Sequence, residues 1–312
     1  MPTHIKGTLI AILGVLVISP DTLLVRLIDI DPWTMIFWRG MGQGLVLFTA
    51  LACVSPNDVW RRTQEIGKTG LGVAFLLAIS SLLFIGSLHY TSVANTLVLI
   101  STAPLFGALQ SRFFLKEQLP QRTWFAVIAG LACVVLIVGS GFGGGTLLGD
   151  AMALIHAVTL SASFVLIRSR KEIDMIPALG LSGILNACMA LPFVAVFAVS
   201  AQSFPYLAVL CGVVLPVSLG LLTTAPRFIP APEVNMIMLL EMILGPLFVW
   251  AVIGEAIPML TAVGGGLLCV TLLIHAILTL KAERPASAPA GGVALGAVGE
   301  QPAPQTDTPA KR

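Results

Sequence analysis

Apolar segments as long as a membrane-spanning helix follow one another through most of the 312-residue chain. A helix needs roughly 20 mostly apolar residues to cross the hydrocarbon core of a bilayer. Only 10% of the residues are charged and the mean hydropathy is +0.97, whereas a soluble domain carries about 25% charged residues. We therefore predict an all-α integral membrane protein with ten spanning helices, at residues 7–27, 33–54, 69–88, 93–114, 123–140, 147–167, 177–199, 204–223, 232–253 and 258–280.

One sequence pattern occurs twice along the chain. Each copy has an apolar helix, a short loop that begins with a glutamate, and a further apolar helix. The two triplets lie 138 residues apart: Glu117, Pro120, Thr123 and Glu255, Pro258, Thr261. We therefore predict two five-helix repeats, at residues 5–140 and 147–280. Residues 281–312 are rich in Pro, Ala and Gly and are predicted to form a disordered cytoplasmic tail.

The charges of the predicted loops give an orientation. Fifteen lysines and arginines fall on the side that carries the N-terminus, and Arg26 alone falls on the other. By the positive-inside rule, both termini are then cytoplasmic and the protein is a multi-pass protein of the inner (plasma) membrane. Because five helices are an odd number, the second repeat enters the bilayer from the opposite side. Inverted repeats of this kind place a substrate site between the halves of a transporter.

Short motifs in both halves are similar to those of a known family. They are Phe37-Trp38-Arg39-Gly40, Ala103-Pro104-Leu105-Phe106, Lys116-Glu117, Gly149-Asp150 and Gly254-Glu255. Over about residues 5–280, the chain resembles the drug/metabolite transporter (DMT) superfamily, in its ten-helix branch with two EamA-type repeats. The resemblance implies alternating access around a central cavity. Where the family often has Glu-Pro, this chain has Glu241-Met242 followed by Pro246, so a kink is expected one turn later.

Two further signals concern the backbone of the first two helices. Pro20 removes a backbone hydrogen bond and is expected to open the first helix. Gly40 and Gly44 are spaced four residues apart on the second helix. Small residues at that spacing let two membrane helices approach closely.

Asp21 and Arg39 are the first candidate site residues. A charged group at bilayer depth costs about 2.5–3.5 kcal/mol on insertion scales, so such residues are informative. Each lies six residues from the outer end of its helix, which places both about 9 Å below the boundary. They are expected to form an ion pair. The sequence leaves two roles open, a structural clamp between the first two helices and a gate or substrate-carboxylate site.

Glu241 falls near the centre of the predicted ninth helix. It must face a cavity or a partner, or be protonated. We predict that it binds substrate or a proton, and the alternative is a protonated acid bonded to a neighbouring backbone group. Glu233 lies eight positions earlier and about 80° round the helix, so it shares a broad face with Glu241. It is also compatible with an acid favoured by the helix macrodipole.

Uncharged polar and aromatic residues complete the candidate set. His156 titrates near neutral pH in its ordinary state, although a lone membrane histidine is more often packed and hydrogen-bonded. Asn95, Asn186 and Asn235 line the same cavity or join neighbouring helices. Trp38 is expected to stack on a flat or cationic substrate.

The sequence favours a secondary transporter that exports small organic metabolites or drugs, with protons as a candidate coupling ion. No nucleotide-binding motif, metal motif or cofactor motif is present, and the net charge of +2 is too small to indicate nucleic acid. An uptake carrier of the same fold is the alternative. An intramembrane enzyme, such as a lipid-group transferase, is disfavoured because Asp29 and Asp31 have no further acids nearby. A scaffold without transport is disfavoured because it does not need buried charges.

Overall fold

The computed structural model describes residues 3–28, 30–91, 96, 99–138 and 146–253, with single residues and pairs between 263 and 278. All regular structure within these residues is helical, which confirms the predicted all-α membrane class. The helices are α1 (Thr3–Ile18), α2 (Asp21–Ile28), α3 (Pro32–Val54), α4 (Val59–Glu65), α5 (Gly67–Tyr90), α6 (Ala103–Gln110), α7 (Gln121–Val138), α8 (Leu147–Ser169), α9 (Ile176–Ala190), α10 (Phe204–Val209), α11 (Leu215–Thr224), α12 (Ala231–Met238) and α13 (Glu241–Ile253).

Seven stretches of the described chain are long and apolar enough to cross a membrane. They are His4–Val25, Pro32–Val54, Gly67–Tyr90, Leu147–Ser169, Ile176–Phe193, Phe204–Arg227 and Ala231–Val252. They correspond to the predicted first three helices and to the sixth through the ninth. The fifth predicted helix is present as α7. The first turns of the fourth, most of the tenth and all of the tail at 281–312 lie outside the described residues, so the count of ten stays a prediction.

The first spanning segment is broken where the proline predicted it. α1 ends at Ile18, Ser19 and Pro20 form a turn, and α2 begins at Asp21. The Ser19 hydroxyl donates back to the carbonyl of Val15 at 2.6 Å. Bonding of this kind competes with the helix ladder and bends helices. The proline and the serine together therefore account for the break.

The ninth spanning segment is also broken, but not where Pro246 predicted a kink. α12 ends at Met238, Leu239 and Leu240 form a turn, and α13 begins at Glu241. In the turn, the N–H of Leu239 bonds to Met236 and that of Leu240 to Ile237, both over three residues instead of four. The tighter bonding pattern ends the helix without any proline.

The seventh spanning segment ends earlier than its apolar run predicted. α9 ends at Ala190 and is followed by a 3₁₀ turn at Leu191–Phe193, whereas the prediction continued to residue 199. Pro192 cannot donate to the helix ladder. Downstream, the carbonyls of Val196 and Phe197 accept hydrogen bonds from Thr34 and Trp38 of α3. Side chains of α3 thus replace helical partners for this backbone.

Helices α3 and α9 cross in contact through glycines, as the Gly40–Gly44 spacing predicted. A Cβ on Gly40 would lie 2.5 Å from the carbonyl oxygen of Gly183, and a Cβ on Gly183 would lie 2.6 Å from that of Gly40. A Cβ on Gly44 would be 3.1 Å from the carbonyl of Gly180. Backbone therefore packs directly against backbone at this crossing.

The remaining packing involves helices from both halves of the chain. α8 packs most extensively on α5 and also against α6. α1 packs on α11 and also contacts α12 and α13. α6 and α12 meet each other, as do α3 and α9. The largest apolar cluster joins α1, α5, α8, α11 and α12 around the buried Phe164, Ile167 and Leu222.

Polar and aromatic contacts join the loops at the ends of the helices. One end carries the pairs Arg62–Asp174, Arg168–Glu117 and Lys6–Phe228 and the bond from Arg227 to the carbonyl of Lys171. The other end carries Thr91–Asp150, Thr34–Val196 and the stacked rings of Trp33 and Phe193.

The glycine crossing predicts a stability difference between two Gly→Ala variants. Gly183→Ala is expected to lower the free energy of unfolding by about 1–3 kcal/mol, because the new methyl meets backbone that cannot move aside. Gly212→Ala is the control, since a Cβ there meets nothing within 4 Å. Thermal unfolding in detergent measures both. Equal melting temperatures would show that α3 and α9 are not in backbone contact.

Candidate functional site

The predicted ion pair between Asp21 and Arg39 is present and bidentate. Asp21 is the first residue of α2, and Arg39 lies two turns into α3. Arg39 Nη1 donates to Asp21 Oδ1 at 2.5 Å and Nη2 to Oδ2 at 2.9 Å. Asp21 is 6% exposed and Arg39 is 8% exposed. Two parallel bonds to a carboxylate are the strongest arrangement available to an arginine.

Glu241 brings a second acid to this pair. It is the first residue of α13, which packs against α1 and α2. Its carboxylate lies close enough to Asp21 and Arg39 for direct electrostatic interaction with both. Among the described side chains, Glu241 has no hydrogen-bond or ion-pair partner, and it is partly exposed. We call Asp21, Arg39 and Glu241 the charge cluster.

Helix ends favour both acids of the charge cluster. Asp21 and Glu241 each occupy the first turn of a helix that begins at a break in a spanning segment. The N-terminus of a helix carries a partial positive charge, which stabilises a carboxylate there. Two acids and one arginine then leave the cluster with an excess of one carboxyl group, and Glu241 is the one that Arg39 does not pair.

The surroundings of the charge cluster are apolar. Cys211 is buried and within electrostatic range of Arg39, and it belongs to a cluster with Met35 and Leu210. Trp38 packs against that cluster and donates its indole N–H to the carbonyl of Phe197 at 3.3 Å. Its polar atom is thus already engaged in the structure, and its stacking on a substrate stays a prediction.

Glu233 and Glu241 lie in different helices, so their predicted shared face, which assumed a continuous helix, stays a prediction. The break at Leu239–Leu240 separates the two acids into α12 and α13. Glu233 instead pairs with His4 of α1, with 2.8 Å between Glu233 Oε2 and His4 Nε2. Sequence reasoning missed His4 because it precedes the predicted first span, and the contact joins residues 229 positions apart.

The uncharged candidates make contacts within the helix bundle. His156 Nδ1 lies 2.8 Å from the backbone oxygen of Ser80 and its ring packs against Phe84, as expected for a packed histidine. Asn186 donates to Ser81 at 2.8 Å and so joins α9 to α5. Asn95 lies outside the described residues.

Asn235 lies at a separate polar point between α12, α8 and the start of α6. Its amide nitrogen is 3.4 Å from Ser161 Oγ and 3.5 Å from the carbonyl of Ala103. Ser161 donates to the same carbonyl at 2.7 Å. The Asn235 amide oxygen is buried and has no hydrogen-bond partner among the described residues. These contacts fit the alternative in which Asn235 joins neighbouring helices.

A cavity of about 220 Å³ lies near the end of α2. It is apolar except for one histidine, and the charge cluster does not line it. Its walls are Val25, Ile30, Pro32, Met35, Ile85, Leu88 and His89. Among the residues that the structure describes, no group of three or more His, Cys, Asp or Glu side chains is placed to hold a metal ion.

The bidentate pair predicts that Asp21 and Arg39 depend on each other. Arg39→Gln leaves Asp21 and Glu241 together without a cation, so it is expected to cost about 3–5 kcal/mol of stability. Asp21→Asn should cost less, because Glu241 remains as a counter-charge. The double variant should be more stable than Arg39→Gln alone. Expression level and thermal unfolding measure the series, and additive losses would contradict a buried pair.

Comparison with known proteins gives one matching family model and a similar solved structure. Residues 5–139 match the family model described as EamA-like transporter family. A solved structure titled only as a crystal structure of a protein is similar to this chain, with a TM-score of 0.75 and 18% sequence identity. The alignment covers 90% of this chain and 99% of that one, and at this identity it shows the fold alone. No curated protein matches the chain. Residues 5–139 are therefore an EamA-like segment, and this match supports the resemblance of the chain to the EamA-type transporters of the drug/metabolite transporter superfamily.

Proposed function

We propose that the protein is a secondary exporter of small organic metabolites or drugs that works by alternating access. The observation that carries this proposal is the charge cluster, in which Glu241 lies beside a neutral ion pair with no described partner of its own. A carboxyl group at bilayer depth is costly to keep. In a transporter, such a carboxyl group can bind a cation on one side of the membrane and release that cation on the other.

The helix breaks support two related halves. The turn at Ser101–Thr102 precedes α6 in the first half, and the turn at Leu239–Leu240 precedes α13 in the second. They lie 138 residues apart, which is the spacing of the Glu117 and Glu255 triplets. Broken helices at corresponding points of two halves are typical of binding sites in transporters with inverted repeats.

The helix contacts support the same relation. If each helix is exchanged for its counterpart five spans away, the packing of α8 on α5 corresponds to that of α1 on α11. The packing of α6, in the fourth span, on α8 likewise corresponds to the packing of α12 and α13, in the ninth span, on α1. The contacts between α3 and α9, and between α6 and α12, each join a span to its own counterpart in the other half, so the exchange leaves them unchanged. In the proposed transport cycle, the two halves therefore rock against each other about these contacts between counterpart spans.

Within this proposal, Asp21 and Arg39 hold the geometry and Glu241 takes part in the transport cycle. The bidentate pair uses both oxygens of Asp21, so that carboxylate is committed to Arg39. Glu241, at the start of α13, has no hydrogen-bond partner among the described residues. It accepts either a proton or the ammonium group of a substrate, since both neutralise the excess charge of the cluster.

The Glu241→Gln variant tests this role. Glutamine keeps the shape and most hydrogen bonding but does not ionise, so we expect normal expression and at least tenfold slower concentrative transport in liposomes. Counterflow exchange should persist if Glu241 couples protons, and should fail if its carboxylate binds the substrate.

A surface acid provides the matched control. Glu172→Gln removes a carboxylate from an exposed loop and should leave transport unchanged. Wild-type rates and wild-type pH dependence in the Glu241→Gln variant would show that Glu241 is a structural acid, and the proposed cycle would lose its central group.

The orientation is proposed with both termini in the cytoplasm of the cell. The end of the bundle with Arg62, Arg168 and Arg227 is then the cytoplasmic one. A reporter that is active only in the cytoplasm, fused after Lys281, should be active, and one that requires export should be silent. The reverse pattern would invert the proposed orientation.

A further inference from the structure

The charges of the charge cluster determine which charge a bound molecule can bring to it. Asp21 and Arg39 neutralise each other through two bonds, at 2.5 Å and 2.9 Å. Glu241 lies within electrostatic range of both, and no other described cation acts on it. With Glu241 ionised, the cluster therefore carries an excess negative charge. Because a net charge is costly in a medium of low dielectric constant, the binding of a monocation is favoured.

The positive groups of the charge cluster are already matched by acids of the chain. A helix start favours an anion, but the first turn of α2 contains Asp21 and that of α13 contains Glu241. Two N–H groups of Arg39 bind Asp21, and the remaining ones can still contact a carboxylate. Such a contact does not remove the excess charge. A bound amine makes the cluster neutral, an amino acid leaves the excess unchanged, and a carboxylic acid increases it.

The apolar cavity near the end of α2 lies one helical turn from the same ion pair. On α2, Val25 follows Asp21 by four residues, and on α3, Met35 precedes Arg39 by four. Val25 and Met35 both line the cavity, so it begins about 5.4 Å along the helices from the pair. Its volume is about 220 Å³, and an apolar cavity of about 150 Å³ in another protein binds benzene. The cavity can therefore hold the ring or short chain of an organic amine.

We propose that the charge cluster and this cavity together select organic monocations, that is, amines with an apolar group and no carboxylate, an inference that rests on the proposed transport function. The ammonium group binds Glu241, and the apolar group lies in the cavity beside Val25 and Met35. Asp21 and Arg39 stay paired and keep the rest of the site neutral. Amino acids and organic acids are disfavoured by charge and not by size. The substrates of the proposed exporter are thereby narrowed to one chemical class.

Four probes that share a phenylethyl group test the selection by charge. Phenethylamine is positive at neutral pH, phenylalanine carries both charges, 3-phenylpropanoate is negative and 2-phenylethanol is uncharged. Isothermal titration calorimetry of the full chain in detergent should give phenethylamine a Kd about tenfold or more below that of each of the others. Glu241→Gln should raise the Kd of phenethylamine about tenfold, to that of 2-phenylethanol. Glu172→Gln, at an exposed position, is the matched control and should leave all four Kd values unchanged.

Two results would overturn the selection by charge. Equal Kd values for phenethylamine and phenylalanine, or tighter binding of 3-phenylpropanoate, would show that Arg39 receives a carboxylate of the substrate. The absence of saturable phenethylamine binding would show that Glu241 is not an ammonium site. Calorimetry needs no transport, so selective binding without transport would support the inference and count against the exporter. Transport of phenylalanine in preference to phenethylamine would overturn the inference and leave the exporter standing.

Val25→Phe tests the cavity, because the larger side chain occupies part of its volume. It should raise the Kd of phenethylamine about tenfold. Val54→Phe makes the same change at the exposed end of α3, away from the cavity, and should leave that Kd unchanged. If Val25→Phe does not fold, Leu88→Phe in another wall of the cavity carries the test. Wild-type affinity in a folded cavity variant would show that the apolar group lies elsewhere and would overturn the assignment of the cavity.

Discussion

The pair of Asp21 and Arg39 is the interaction on which the arrangement of the first three helices depends. Neither charge is stable at that depth without the other, and a bidentate bond requires the start of α2 to face the second turn of α3. The break at Ser19–Pro20 makes this possible, because it places Asp21 at the start of a new helix. The pair thus determines where the first spanning segment must break, and the proline and the back-bonded serine provide the break.

Glu233 in α12 and Glu241 in α13 differ in whether a charged side chain lies within bonding distance of the carboxylate. Glu233 in α12 meets His4, and its charge is compensated across helices. Glu241, after the turn at Leu239–Leu240, meets a pair that is already neutral. The two acids of this spanning segment therefore lie in different helices, α12 packed against α1 and α13 packed against α1 and α2.

The sequence predicted well those features that depend on the depth of a charged residue in the membrane or on local backbone chemistry. The Asp21–Arg39 pair follows from the equal depth of two charges, and the close approach of α3 and α9 follows from the spacing of two glycines. The break before Glu241 was predicted at the wrong point, since the sequence there contains no proline or glycine and the turn follows from tighter backbone bonding. Arg168–Glu117 and His4–Glu233 were not predicted, because each joins distant residues and local patterns do not encode such contacts.

The excess acid of the charge cluster has a consequence for how the proposed transport cycle is coupled. With Glu241 ionised and unpaired, closing the site from water on both sides leaves a net charge in a medium of low dielectric constant, which is costly. A proton or a substrate ammonium removes that charge, so the occluded state is accessible to the loaded protein and not to the empty one. In the proposed cycle, movement between the two faces then requires a cation at Glu241 in each direction, so the exchange of one cation for another would be obligatory.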